Sequence, residues 1–333
     1  MKKIIIDVFG CDKPAEVVKG GILSLSKGSD FNIVFTGQKE FIENELKNLK
    51  YETNRVEIID CKEVITNEDS PTLSIRQKKD SSLVVALEKL KEDKETVAMV
   101  SCGNTGAVLT GALFKIGRIE GIERPALAPM LPTGNADRDV LLIDCGANTD
   151  SKPEFLVQFA LMGYNYMKYV FNIENPRVAL LSNGTEDKKG NELTKEAFLL
   201  LKDRKDINFV GNMEARDMLT GEYDVIVADG FAGNIALKTV EGTASMIVGV
   251  LKQEICRKFR YKIAAFLMKG ALKSLKQRMD YHAKGGAPLL GIEKILVKGH
   301  GSANAKAVCV AIMQAKKMSD SNLVERIKEG IKK

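Results

Sequence analysis

Residues Val97 to Ala107 read VAMVSCGNTGA, an apolar run of strand type that breaks into glycine, asparagine and threonine just where a helical pattern begins. The arrangement returns along the chain. Val140 to Asp150 reads VLLIDCGANTD, Val178 to Glu192 reads VALLSNGTEDKKGNE, Asp224 to Asn234 reads DVIVADGFAGN, and Ile295 to Asn304 reads ILVKGHGSANA. Strands buried in a parallel sheet carry continuous Val/Ile/Leu runs instead of alternating ones. In an open α/β sheet the ligand sits beyond the carboxyl ends of such strands. Small polar residues at these ends predict one shared crevice, lined by backbone N–H groups, side-chain amides and helix N-termini. Such a lining suits an anion.

The rhythm extends outward from these runs. Strands are predicted at Ile4–Val8, Phe31–Thr36, Val56–Ile59 and Thr96–Val100. Helices are predicted at Ala15–Leu25, Lys39–Leu49, from Ser70-Pro71 toward Lys91, and at Gly106–Ile116, proline being suited to a first helical turn. More helices are expected near Pro153–Val170, Glu192–Leu201 and Glu214–Leu219. The fold class is therefore α/β, a mostly parallel sheet between helical layers with right-handed crossovers. No Pro- or Ser-rich linker interrupts it, so residues 1–333 read as one α/β domain or two intimately joined lobes.

One region departs from the pattern. Between Lys252 and Lys284 the basic residues Lys252, Arg257, Lys258, Arg260, Lys262, Lys269, Lys273, Lys276, Arg278 and Lys284 are opposed only by Glu254 and Asp280. Leu251, Ile255, Phe259, Ile263 and Leu267 recur every four residues and predict one apolar helical face, with Gly270 as a hinge beyond Phe266. Residues 250–285 thus read as protruding basic amphipathic helices, suited to a membrane interface, to a dimer partner, or to both.

Composition narrows the class. A hydrophobic content of 44%, a charged content of 28% and a net charge of +6 describe an ordinary globular protein with mild affinity for acidic partners and no nucleic-acid bias. The opening MKKIIIDVFG lacks a long apolar region and reads as a first strand. With no apolar stretch near the ~18 residues of a spanning helix, a cytoplasmic protein is expected. Cys11, Cys61, Cys102, Cys145, Cys256 and Cys309 are scattered, and with only His282 and His300 beside them no metal site is supported.

Each polar turn carries chemistry that is weak alone. Asn104, Thr105 and Gly106 place a hydroxyl and free N–H groups where a helix dipole favours an anion. Asp144 either caps a helix or orients Lys152, with Asn148 adding an amide. Asn183, Glu186, Lys188, Gly190 and Asn191 form a turn too polar and glycine-punctuated for simple packing. Asp229 with Asn234 and Lys238 repeats the arrangement, and His300 with Ser302 closes the set. No G-x-G-x-x-G, P-loop or G-x-S-x-G pattern is present.

Together the motifs SCGNTGA, ERPALAPMLP, DCGANTDSKPE, QFALMG, KGNEL, FVGNMEARD, VADGFAGNIALKT and GGAPLLG resemble the bacterial phosphate acyltransferase family (PlsX type), nearly end to end from Asp7 to about Ala311. The sequence departs from the family's pattern at Cys11, where a second glycine is usual, at Ala303, and in Asn183-Gly-Thr-Glu186. The resemblance implies a fold similar to isocitrate/isopropylmalate dehydrogenases and phosphotransacetylases. It also implies conversion of acyl-acyl carrier protein and inorganic phosphate into acyl-phosphate and free carrier protein, for phospholipid synthesis. It further implies a homodimer at the inner face of the membrane, near a glycerol-3-phosphate acyltransferase, with no cofactor.

For that chemistry the expected mechanism is direct attack of phosphate on the thioester. Lys152, Lys188 and Lys238 are the candidate cations, oriented by Asp144 and Asp229. Asn104, Thr105 and Gly106 would cradle phosphate, while Asn148, Asn191, Asn234 and His300 are candidate donors. Asn183, Glu186, Gly190 and Ser302 complete the expected lining. Phe259, Ile263, Phe266, Leu267, Lys269 and Lys273 are the expected membrane or partner contacts. The rival chemistry uses Cys102 or Cys145 as nucleophile. Other readings are a phosphotransacetylase-like enzyme on acyl-CoA, a dehydrogenase of the related fold, and a membrane-bound scaffold for carrier protein.

Overall fold

The structure, a computed structural model, describes residues 1–279 and 284–332, without the side chains of 276–279. The chain first alternates β1 (Lys2–Asp7), α1 (Pro14–Leu25), β2 (Phe31–Gly37), α2 (Lys39–Leu46), β3 (Val56–Asp60), α3 (Pro71–Gln77), α4 (Ser82–Glu92), β4 (Thr96–Ser101) and α5 (Thr105–Gly111). Short strands β5 (Ala126–Leu127) and β6 (Met130–Pro132) then carry it across to β7 (Asp139–Ile143), α6 (Pro153–Val170), β8 (Arg177–Ser182), α7 (Glu192–Asp203), β9 (Asn208–Glu214) and β10 (Val225–Val227). Helices α8 (Gly230–Arg257), α9 (Phe259–Leu267) and α10 (Lys269–Met279) follow. The chain returns through β11 (Ala287–Leu290), β12 (Ile295–Lys298), α11 (Ala305–Asp320) and α12 (Leu323–Ile331).

Among the described residues the strands form two sheets, ordered β3-β2-β1-β4-β12-β11-β5 and β6-β7-β10-β8-β9. Pairing is parallel except at β11 with β12 and β5, and at β6 with β7. The apolar runs explain this: residues 4–6, 33–35, 141–143 and 225–227 have no exposed surface, as strands covered on both faces require. One apolar cluster continues from Ile4 and Ile6 through Leu141 and Ile143 to Val178 and Leu180, so both sheets share a core.

Three expectations are corrected. The helix expected from Ser70 toward Lys91 is two helices. Lys78 leaves helical geometry (φ −88°, ψ 69°), its Nζ held by Asp69 at 2.7 Å, and the Ser81 side chain then caps α4. The helix expected at Glu214–Leu219 is the end of β9 and a single 3-10 turn, Ala215–Asp217, because Glu214 still pairs with Ser182 across the sheet. Gly211, at φ 103°, kinks β9 and breaks the apolar run that would have marked it. Finally, the four-residue apolar repeat from Leu251 to Leu267 is divided between α8 and α9, since Lys258 is extended (φ −132°, ψ 142°), and Met268 caps the end of α9.

Helices α9 and α10 stand clear of the core. Phe259, Ile263, Phe266, Leu267, Lys269 and Lys273 are all exposed, Phe266 and Leu267 to 74% and 80%. The side chains of Lys276 and Arg278, and all of Asp280 and His282, lie outside the described residues. Among the described residues no helix is long and apolar enough to cross a membrane.

Candidate active site

The crossing between the sheets makes the floor of a 420 Å³ cleft, lined by Leu127, Pro129, Met130 and Leu131. Its walls come from four strand ends. Gly103 and Thr105 follow β4, Cys145 follows β7, Asn234 and Lys238 belong to α8 after β10, and Lys298, Gly299, His300 and Gly301 finish β12. The Asp12 amide donates to the Gly301 carbonyl at 3.0 Å and ties the first loop to the last.

The third polar turn goes elsewhere. Asn183, Gly190 and Asn191, together with Asp229, line a separate 540 Å³ cavity against Phe231 and Ile235. Sheet order is the reason: β8 lies one strand beyond β10, so its carboxyl end reaches a different face of α8. Glu186 lines neither space. Its carbonyl accepts from Asn212 Nδ2 at 2.9 Å. Lys188, exposed in the same turn, and Lys152, at the start of α6, also line neither.

Several of the expected polar side chains are committed to building the turns. Asn104 caps α5, accepting from Ala107 N at 3.0 Å, while its amide donates to the Thr66 and Asn67 carbonyls. Gly106 packs on Pro71 and leaves no room for a side chain. Asn191 caps α7 through Thr194 N, and Asp229 caps α8 through Phe231 N and Ala232 N at 3.0 and 2.9 Å. Caps of this kind satisfy the first orphan donors of a helix.

Asp144 is fully buried and anchors the junction. It accepts from Leu127 N at 3.0 Å, Ala147 N at 3.1 Å, Asn148 N at 2.8 Å and Asn148 Nδ2 at 2.9 Å. Leu127 belongs to one sheet and Asp144 to the other, so this carboxyl sutures the floor. Asn148 Nδ2 also donates to the Pro125 carbonyl. The groups around Asp144 are therefore amides, and Lys152 is not among its hydrogen-bond partners.

His300 lines the cleft. The Ser302 amide donates to Nδ1 at 3.2 Å, and Ser302 Oγ lies 2.8 Å from the same nitrogen. An accepting Nδ1 leaves the proton on Nε2, which makes that nitrogen a donor. Lys238 Nζ is paired with Glu241 at 2.8 Å, and both line the cleft.

Sequence reasoning missed two groups here. Asp7, at the end of β1, is buried and accepts from Ser82 Oγ at 2.6 Å and Ser101 Oγ at 2.7 Å. Loss of solvent pushes its carboxyl up to about 6, against the pull of the two hydroxyls. Ser101 Oγ in turn accepts from Gly103 N at 3.2 Å, so Asp7 supports the Gly103 turn from beneath. Lys298 is the second, its ammonium held down in pKa by burial. The available signal was a charged residue ending an otherwise apolar strand: Asp7 after KKIII and Lys298 after ILV.

The cysteines of the cleft region are poor nucleophiles. Burial pushes the Cys102 thiol up to about 12, and Cys145 is raised well above its ordinary value for the same reason. A thiol must lose its proton to attack, and these hold it.

Comparison with known proteins gives the family and the fold. The family described as "Fatty acid synthesis protein" matches residues 2–326. The phosphate acyltransferase of Alkaliphilus oremlandii is 47% identical over 329 residues, 99% of this chain and 97% of that protein. That of Clostridium perfringens (strain SM101) is 46% identical over 332 residues, again 99% and 97%. Among solved structures, a phosphotransacetylase from Streptococcus pyogenes shares the fold, with a TM-score of 0.62 at 19% identity over 97% of this chain and 94% of that one.

Proposed function

The chain belongs to the fatty acid synthesis protein family, among its phosphate acyltransferases, and on that premise we propose that it transfers a long-chain acyl group from acyl carrier protein to inorganic phosphate. The products are acyl-phosphate and free carrier protein, destined for phospholipid synthesis. A phosphate oxygen attacks the thioester carbonyl carbon, the carbonyl oxygen takes the developing charge, and the C–S bond breaks with the pantetheine sulfur leaving as thiolate. With a thiol pKa of about 8.5, that departure is easy. Phosphate is largely dianionic near neutral pH, so positioning and oxyanion donors carry the rate. Each donor supplies about 2.7–4 kcal/mol in comparable sites.

One observation carries this reading: the cleft has an apolar floor beside a polar wall. Leu127, Pro129, Met130 and Leu131 offer a bed for an acyl chain, and Thr105, Asn234, Lys238 and His300 line the same cleft as donors. Asn104, Gly106, Asp144 and Asn148 hold that wall in place. The attack is direct, without an acyl-enzyme, a reading supported by the burial that keeps the Cys102 and Cys145 thiols protonated. The double replacement Cys102→Ala, Cys145→Ala is expected to keep turnover within threefold of the parent. A folded double variant without activity would reassign the reaction to a cysteine nucleophile. Acyl-CoA offered in place of acyl-carrier protein distinguishes a phosphotransacetylase-like donor preference, which this reading says will be much the poorer.

The basic helices suit two acidic partners, carrier protein and anionic lipid. We place the working enzyme as a homodimer in the cytoplasm against the inner membrane face, handing acyl-phosphate to a glycerol-3-phosphate acyltransferase. The support is the exposed apolar set on α9 beside Arg260 and Lys262. Phe266→Glu with Leu267→Glu is expected to lower pelleting with anionic liposomes several-fold. Pelleting equal to the parent's would remove the lipid role.

A further inference from the structure

The cleft contains two lysines, and they differ in company. Lys238 is ion-paired with Glu241, and 58% of its side chain is exposed. Lys298 is half-buried at the end of β12, a central strand between β4 and β11. Its Nζ donates to the Gly299 carbonyl, and among the described residues no carboxylate forms an ion pair with it. Asp7 and Asp12 act on it only at longer range. Ser82 and Ser101 each donate to one of the Asp7 carboxyl oxygens, and among the described residues Asp7 makes no ion pair with Lys298.

A buried ammonium without a counter-ion loses more hydration than one carbonyl returns. Here the deficit sits where α/β sheets bind ligands, beyond the carboxyl ends of central strands. Across the ladder Lys298 is in register with Ser101, the residue that holds the Gly103 turn. Thr105 and His300 line the same cleft. An anion entering there would meet a cation, a hydroxyl and an imidazole donor together. Lys152 and Lys188 line neither cavity and offer no such convergence.

We infer that Lys298 is the cation that grips inorganic phosphate in this cleft, with Thr105 and His300 as neighbouring donors. The inference rests on the phosphate acyltransferase reading above and identifies the residue that binds the attacking group. It predicts a selective loss. Lys298→Met should bind inorganic phosphate at least tenfold more weakly by calorimetry and raise the KM for phosphate by a similar factor. The KM for acyl-carrier protein should stay within twofold. Thermal stability without phosphate should not fall, since an uncompensated buried charge is removed.

Lys298→Gln, which keeps a hydrogen bond to the Gly299 carbonyl without the charge, should show the same loss, and Lys298→Arg should recover most of the affinity. Parent-like phosphate affinity in the Met and Gln variants overturns the assignment. So does a loss of turnover in them with phosphate affinity intact. A parent that binds phosphate yet releases no carrier thiol from acyl-carrier protein defeats the reaction assigned above and leaves the Lys298 binding site standing. A parent that binds no phosphate defeats both.

Discussion

Gly233→Ala is expected to destabilise the protein by on the order of 3 kcal/mol and to abolish most of its activity. A Cβ at Gly233 would lie 1.9 Å from the Asp144 carbonyl oxygen, and one at the neighbouring Gly230 would lie 2.4 Å from the Asn148 carbonyl oxygen. Both obstacles are backbone atoms, which cannot rotate aside as a side chain can. The Gly230 amide also donates to the Asn148 carbonyl at 2.8 Å, fixing the approach. Helix α8 would have to lift from the β7 turn, taking Asn234 and Lys238 out of the cleft they line. Urea unfolding and phosphate-dependent turnover measure the two effects. Parent-like values in both would show that the close approach is not needed.

The second large effect is a pH dependence. Asp7 titrates at about 6 in the folded protein, against an ordinary carboxyl value of 3.8. Well below pH 3.8 the carboxyl is protonated in both folded and unfolded chains and costs nothing. As pH rises from 4 to 6 the unfolded chain ionises first, so the folded state binds the extra proton and loses stability with rising pH. The loss levels off above about pH 6, at up to about 3 kcal/mol. Other carboxylates, Asp93 at about 2 among them, push stability the opposite way. The informative quantity is therefore the difference in unfolding free energy between parent and Asp7→Asn, which keeps an acceptor for the Ser82 or Ser101 hydroxyl. That difference should move against the parent across pH 4–6 and be flat on either side. A constant difference would mean that Asp7 ionises as easily inside the protein as outside.

Much of the fold was legible because the signals were local. Buried parallel strands announced themselves as apolar runs, and the Asn and Asp residues after them sit where helix caps belong. What local reading could not supply was strand order. Five runs looked equivalent, yet β8 lies beyond β10, and its turn with Asn183, Gly190 and Asn191 opens into a neighbouring cavity. Asp144 shows the same limit: three of its four N–H partners lie in its own turn, but the fourth, Leu127, comes from the other sheet, which no spacing in the sequence reveals. The apolar repeat through α8 and α9 was real as a pattern, but a single extended residue, Lys258, divided it. Lys298 and Asp7 escaped notice because a charged residue at a strand end ordinarily meets solvent. Here Ser82 and Ser101 enclose Asp7, and Lys298 is half-buried in the cleft wall.

The most direct measurement is incubation with palmitoyl-acyl carrier protein, with and without inorganic phosphate, followed by mass analysis of both products and enzyme. Palmitoyl-phosphate and free carrier thiol should appear in equal amounts, only when phosphate is present, with the enzyme's mass unchanged. Carrier thiol released without phosphate, or an acylated enzyme, would contradict direct transfer in this cleft.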